Sequence, residues 1–162
     1  MYWEDINIPS YIQQIMNQIK RLNKDFEIIL LNRDNLIDYL SDFSLKGEMP
    51  IANKTDIIRL NLLYEYGGVW IDSTTIFNEN LSWVVNLFDE KDYDIVGYYK
   101  DTSTIDLNYP IIESWFLASK PKNMIVKKWL DELRPLGNLG STLYFEKLKS
   151  RADYNEIKQN IG

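Results

Sequence analysis

Five charged residues fall in the stretch "NKTDIIRLNLLYEYGGVWIDSTT", which runs from Asn53 to Thr75, and three of them are set among apolar neighbours. Those three are Asp56, Arg59 and Asp72. Asp56 and Arg59 lie three apart, so on a helix they share one face and can meet a common ligand or each other. One reading is an i,i+3 surface ion pair contributing a few tenths of a kcal/mol. The other is a ligand site, because Ile57, Ile58, Leu60, Leu62 and Leu63 leave little solvated surface, and burying charge costs several kcal/mol before pairing offsets it. Asp72 ends the run "VWID", which reads as a buried strand. A carboxylate at the carboxyl end of such a strand can hold a metal or a ligand hydroxyl; it can also cap the next turn together with Ser73 and Thr74.

The chemistry open to the chain is narrow. There is no histidine and no cysteine, so acid–base work falls to Asp, Glu, Tyr or Lys, and thiolate zinc sites, disulfides and a Ser-His-Asp arrangement are excluded. Net charge is −6, which disfavours nucleic acid as a partner but not a phosphate ligand neutralised locally by arginine, backbone N–H groups or a metal. No apolar run is long enough to span a membrane, and the start lacks a signal peptide's pattern. These features suit the cytoplasm, or a peripheral position at the inner face of the membrane.

The elements that must position these residues follow from periodicity. Ile12, Ile15, Met16, Ile19 and Leu22 have helical spacing, with Pro9 and Ser10 in the first turn. "FEIILL" reads as a strand and "RDNLIDYLSDF" as a helix capped by Asp34 or Asn35. Asn53 is the expected cap of a helix reaching about Tyr66, where Gly67 and Gly68 stop it. Further on, helices are expected over 81–90, 121–133, 141–150 and 154–160, and strands over 93–99 and 111–119. The alternation implies an α/β layered fold with a mostly parallel sheet flanked by helices. The 162 residues suit one domain, and the abrupt start and end suit a fragment or a chain trimmed at both ends.

The run "TDIIRLNLLYEYGGVWIDSTT" resembles the signature of DXD-type sugar transferases. That group includes glycosyltransferase family 32-like proteins and the bacterial capsular polysaccharide synthesis proteins, the nearer match. "MYWEDINIPSYI", "DFEIILLNRDNL" and "ESWFLASKP" resemble successive segments of the same branch. The resemblance implies a GT-A type, Rossmann-like fold that takes a sugar, of the hexosyl type and with retention, from a nucleotide-diphosphate donor to a glycan acceptor in capsular or surface polysaccharide synthesis. Carried onto this sequence, Asp56 and Arg59 contact the donor sugar and diphosphate, with Thr55 the small hydroxyl residue beside them. Asp72 is the first acid of the DXD element, and Trp3 stacks on the base. Trp115, in "ESWF", joins the donor set.

The second DXD acid is replaced by Thr74. A divalent cation (Mn²⁺ or Mg²⁺) held by Asp72 and Thr74 is therefore weakly provided for, since a hydroxyl is a poor substitute for a carboxylate. Asp101, Asp106 and Glu113 are other acids within reach in sequence. Tyr98, Tyr99, Tyr109 and Trp115 could form a sugar platform or simply pack in the core, and Lys120, Lys122, Lys127 and Lys128 read as a solvated helix face. Two other functions fit parts of the pattern. A haloacid-dehalogenase-like phosphotransferase would use Asp72 as nucleophile, and an inactive transferase-like domain would bind nucleotide without turnover.

Overall fold

The computed structural model describes residues 1–159. Helices Ser10–Leu22 (α1) and Ile51–Tyr66 (α2) precede strand Gly68–Ile71 (β1). Helix Ser82–Glu90 (α3), strand Ile95–Tyr99 (β2) and strand Ile112–Ser119 (β3) follow, and Met124–Leu139 (α4), Ser141–Lys149 (α5) and Tyr154–Gln159 (α6) close the chain. The helix expected over 154–160 is present as far as Gln159, and Asn160 lies outside the described residues.

The sheet corrects one expectation. Its order is β1-β3-β2 and both pairings are antiparallel, Trp70 opposite Leu117 and Val96 opposite Ala118. β1 and β2 do run the same way with α3 between them, which is the alternation the sequence displays. However, β3 inserts between them against both, because β2 and β3 are joined without the helical crossover that parallel pairing requires. The parallel pairing among the described residues is the bridge Tyr2–Leu31, flanked by Trp3 N–H to Leu31 O at 2.8 Å and Leu31 N–H to Met1 O at 2.9 Å.

Two more expectations change. Residues 26–31 run extended but pair only at Leu31. The helix expected over 33–43 is reduced to a 3₁₀ turn at Leu36–Asp38. Asn32 Oδ1 accepts from the N–H groups of Asp34 (2.8 Å) and Asn35 (3.0 Å), and Asn35 Oδ1 accepts from Asn32 N–H at 2.7 Å. These local side-chain bonds compete with the helical ladder.

The sheet separates two cores. On one face Trp70 and Leu117 pack with Ile57, Ile58, Leu60 and Leu63 of α2 and with Val126, Leu130 and Leu136 of α4. On the other, Ile71, Phe116 and Ala118 pack with Ile12, Ile15 and Ile19 of α1 and Val84 of α3. Helix α2 buries Ile57, Ile58, Arg59, Leu60 and Leu63, a set too broad for one narrow apolar stripe, because it is covered on several sides. It begins at Ile51, after Pro50, rather than at Asn53; Asn53 lies inside it and its Oδ1 accepts from Ser141 Oγ at 3.0 Å. It ends where Gly67, at φ 68° and ψ −152°, takes a conformation that is essentially glycine's alone. That turn sends the chain straight into β1 and so fixes where Asp72 emerges. The lysines expected on a solvated face lie largely in surface ion pairs, Lys120 with Asp92, Lys122 with Glu65 and Lys127 with Asp131.

Candidate active site

Helix α2 and the end of β1 bring Asp56, Arg59 and Asp72 together. Arg59 Nη2 lies 3.0 Å from Asp56 Oδ1 and 3.6 Å from Asp72 Oδ1. Arg59 Nη1 donates to the backbone carbonyl of Ser114 on β3. The guanidinium also stands 5.4 Å from the centre of the Trp70 ring, a cation–π arrangement. Asp72 is held from a second side, by Trp70 Nε1–H to its Oδ1 at 2.8 Å, and its backbone N–H extends the ladder to Trp115 O at 2.8 Å.

Arg59 is only 3% exposed. A buried charge survives where it is paired and hydrogen-bonded, and here two carboxylates, a carbonyl and an aromatic face do this. Its Nε–H is left without a partner among the described residues. Burial lowers its pKa, opposed by Asp56 and Asp72. Burial also raises the Asp56 carboxyl above its ordinary value; the Arg59 charge opposes the rise and the Asp72 charge adds to it.

These groups open into a cleft of about 490 Å³, in the range of small-molecule sites. Trp3, Thr55, Asp56, Arg59, Asp72 and Thr74 all line it. Thr55 Oγ1 donates to Ile51 O at 2.8 Å, so its hydroxyl proton is committed within α2. The Trp3 ring meets Tyr11 edge-on at 6.2 Å. Trp115 is not among the lining residues; its ring stacks on Tyr98 at 5.1 Å and 11°. Asp101, Asp106 and Glu113 are also absent from the lining.

Residues 3–155 match the family described as capsular polysaccharide synthesis protein. The chain belongs to that family. The O-glycosyltransferase braB of Annulohypoxylon truncatum is 27% identical over 155 residues, covering 83% of this chain and 36% of its own length. The glycosyltransferase afumC of Aspergillus fumigatus is 24% identical over 148 residues, covering 80% of this chain and 37% of its own. The chain thus spans little more than a third of the length of these curated relatives. No solved structure matches it.

The cleft also holds residues that the sequence did not single out: Tyr2, Glu4, Asp5 and Ser114. Glu4 receives two bonds from Lys54 Nζ, at 2.7 and 2.9 Å, and one from the Tyr2 hydroxyl. Burial pushes the Glu4 carboxyl up, but the bonds from Lys54 and Tyr2 outweigh it and hold the pKa below the ordinary value. The pair ties the first extended segment to α2. Its acid stands next to Trp3 in sequence, the one signal that could have found it.

The oxygens present can accommodate a cation of limited kind. Asp72 Oδ1 is taken by Trp70 and Arg59, and no hydrogen bond from the described residues reaches Oδ2. Thr74, exposed, stands two residues on. No three acidic residues converge on a metal position among the described residues. This donor set suits a hard cation sharing its shell with a ligand's phosphates and water, rather than a closed protein cage.

Proposed function

We propose that this chain carries the donor-binding cleft of a glycosyltransferase, and that it holds a nucleoside-diphosphate sugar whose glycosyl group passes to a hydroxyl of a glycan acceptor. The observation that carries this reading is the meeting of Asp56, Arg59 and Asp72 in one cleft with Trp3 on its wall. Membership of the capsular polysaccharide synthesis family and two relatives named as glycosyltransferases support it.

The roles follow from burial and charge. Arg59 lies behind the two acids and fixes both, so it acts as a positioning residue more than as a surface clamp for phosphate. Asp72, oriented through Oδ1 by Trp70 and Arg59, lines the cleft with its other oxygen left for a ligand. Trp3 offers a flat face for a base, an interaction of about 1–3 kcal/mol where nucleic-acid proteins use it. Asp56 and Asp72 outnumber the single guanidinium, so the cleft alone repels a diphosphate. A divalent cation held by Asp72 and Thr74 would reverse that and stabilise the charge that grows on the departing diphosphate. An Asp72 nucleophile for phosphotransfer fits less well, because that scheme gives the Asp56–Arg59 pair beside it no role.

The test is a thermal-shift screen of nucleotide-sugars with and without Mn²⁺. A ligand at a hundred times its Kd contributes about 2.7 kcal/mol, or a rise of roughly 5–10 °C for a chain of this size. The right donor should give such a shift only with the metal, and Asp72→Asn should remove the metal dependence. A flat response to every donor in both conditions overturns the reading.

A further inference from the structure

We propose that the stacked pair Tyr98–Trp115, at the loop end of the β2–β3 hairpin, is the acceptor subsite and takes a pyranose ring of the glycan that receives the sugar. The proposal rests on the donor reading above for its function, but its binding chemistry can be tested separately.

The starting point is an irregularity in the sheet. Gly97 pairs with Leu117 and Tyr99 with Ile112, so Tyr98 alone faces residues 113–116 of β3. Such bulges re-aim side chains and often border active sites. This one has two effects. It releases the Ser114 carbonyl from β2 to accept from Arg59, and it leaves Ser114 in the wall of the donor cleft. It also lays the Trp115 indole parallel to the Tyr98 ring, at 5.1 Å and 11°.

The resulting slab is rigidly backed. Beneath it Phe116 is buried and stacks on Trp83 at 5.5 Å, and Tyr98 meets Phe116 edge-on at 5.3 Å. Yet Tyr98 is 46% exposed, beside Tyr99 at 48% and its cross-strand partner Ile112 at 41%. An aromatic stack that begins in the core and ends in water is an unpartnered apolar surface. Its occupant follows from shape and position. A pyranose ring has one face of C–H groups that packs on a flat ring and hydroxyls at its rim, and tyrosine supplies the matching apolar face and polar tip at little entropic cost.

Position points the same way. Transfer requires the acceptor hydroxyl to sit against the donor's reacting carbon, so the acceptor must border the donor cleft. Trp115 follows Ser114, which stands in that cleft's wall; its ring packs on the α1/α3 side of the sheet, and its carbonyl accepts from the Asp72 N–H at 2.8 Å. A sugar on the slab is therefore held by the same strand that fixes Arg59 and Asp72.

Trp115 lies under Tyr98 and makes tryptophan fluorescence the readout. The protein is titrated with neutral gluco-, manno- and galacto-oligosaccharides, and nucleotide-sugar/Mn²⁺ thermal shifts are measured alongside. One sugar series should give a saturable fluorescence change. Tyr98→Ala should weaken it about tenfold or more, as loss of a stacking contact does, while Tyr98→Phe retains it. Tyr98→Leu, which keeps apolar bulk but not a flat face, should behave like the alanine variant and covers the case in which alanine perturbs folding. Donor shifts should be the same in all variants. No saturable response to any series, or equal affinity in the leucine variant, overturns the subsite. Sugar binding without any donor shift leaves the subsite standing and removes the donor reading instead.

Discussion

Trp70 and Asp72 are two residues apart on one strand, and the indole Nε1–H of the first donates to Oδ1 of the second at 2.8 Å. Alternation along a strand puts both side chains on the same face, so a core residue orients the carboxylate that leaves the sheet. Trp70→Phe keeps most of the ring and removes the donor. It is expected to cost ~1 kcal/mol of stability and, by freeing Oδ1, to weaken Mn²⁺-dependent donor binding more than its stability loss would suggest. Denaturant unfolding and donor titration on the same variant check this.

Arg59 joins the two acids. Arg59→Met leaves Asp56 and Asp72 facing each other without a cation, a change of the kind that costs ~3–5 kcal/mol. Arg59→Lys keeps the charge but not the planar fork, and should recover only part of it. Adding Asp56→Asn to Arg59→Met should restore some stability, because one uncompensated charge is removed. A double-mutant cycle in urea measures that coupling, and strict additivity would show that the pair does not interact.

Glu4 and Asp56 predict opposite responses to pH. The Glu4 carboxyl is held below its ordinary 4.5, so its pair with Lys54 stabilises the fold above that pH, and the gain is lost as pH falls through the lowered value. Asp56 is raised above its ordinary 3.8 by burial, so its contribution is fully present below that pH and is lost as pH rises through the raised value. Lys54→Met should therefore flatten the acid limb of the stability profile, whereas Asp56→Asn should make stability fall less as pH climbs from 3.8. Thermal melts across the acid range separate the two.

Gly67 and Gly68 both have positive φ, at 68° and 86°, but only the first is also sterically enclosed. A Cβ on Gly67 would lie 2.7 Å from Pro121 N, whereas one on Gly68 would meet nothing within 4 Å. Gly67→Ala should cost ~2 kcal/mol or more from backbone strain and the clash together. Gly68→Ala should cost less, ~1 kcal/mol. The difference in melting temperature between the two variants is the check.

Much of this was readable in the residues. The periodicity of Ile12, Ile15 and Ile19 marks a helix whose burial the structure shows, and Gly67 and Gly68 mark where α2 stops. The three-residue spacing of Asp56 and Arg59 was enough to put them on one helix face. The direction of the strands was not readable, because β1–α3–β2 has the look of a parallel unit and nothing in "IESWFLAS" says that it returns between its predecessors. Ser114 left no trace because it acts through a carbonyl, and every residue has one. Trp115 was grouped with the donor residues through the resemblance carried by "ESWF"; that its ring stacks on Tyr98 depends on a bulge in the strand pairing, which the sequence does not print.

β3 bonds to both of its neighbours, and it also supplies the carbonyls that receive Arg59 and the Asp72 N–H. During synthesis the acids of α2 and β1 are therefore made well before the strand that locks them. Until residues 112–119 have left the ribosome, Arg59 has no Ser114 to meet and β1 is an unpaired edge. The cleft is therefore completed only once residues 112–119 are available, through long-range contacts that carry a loop-closure cost.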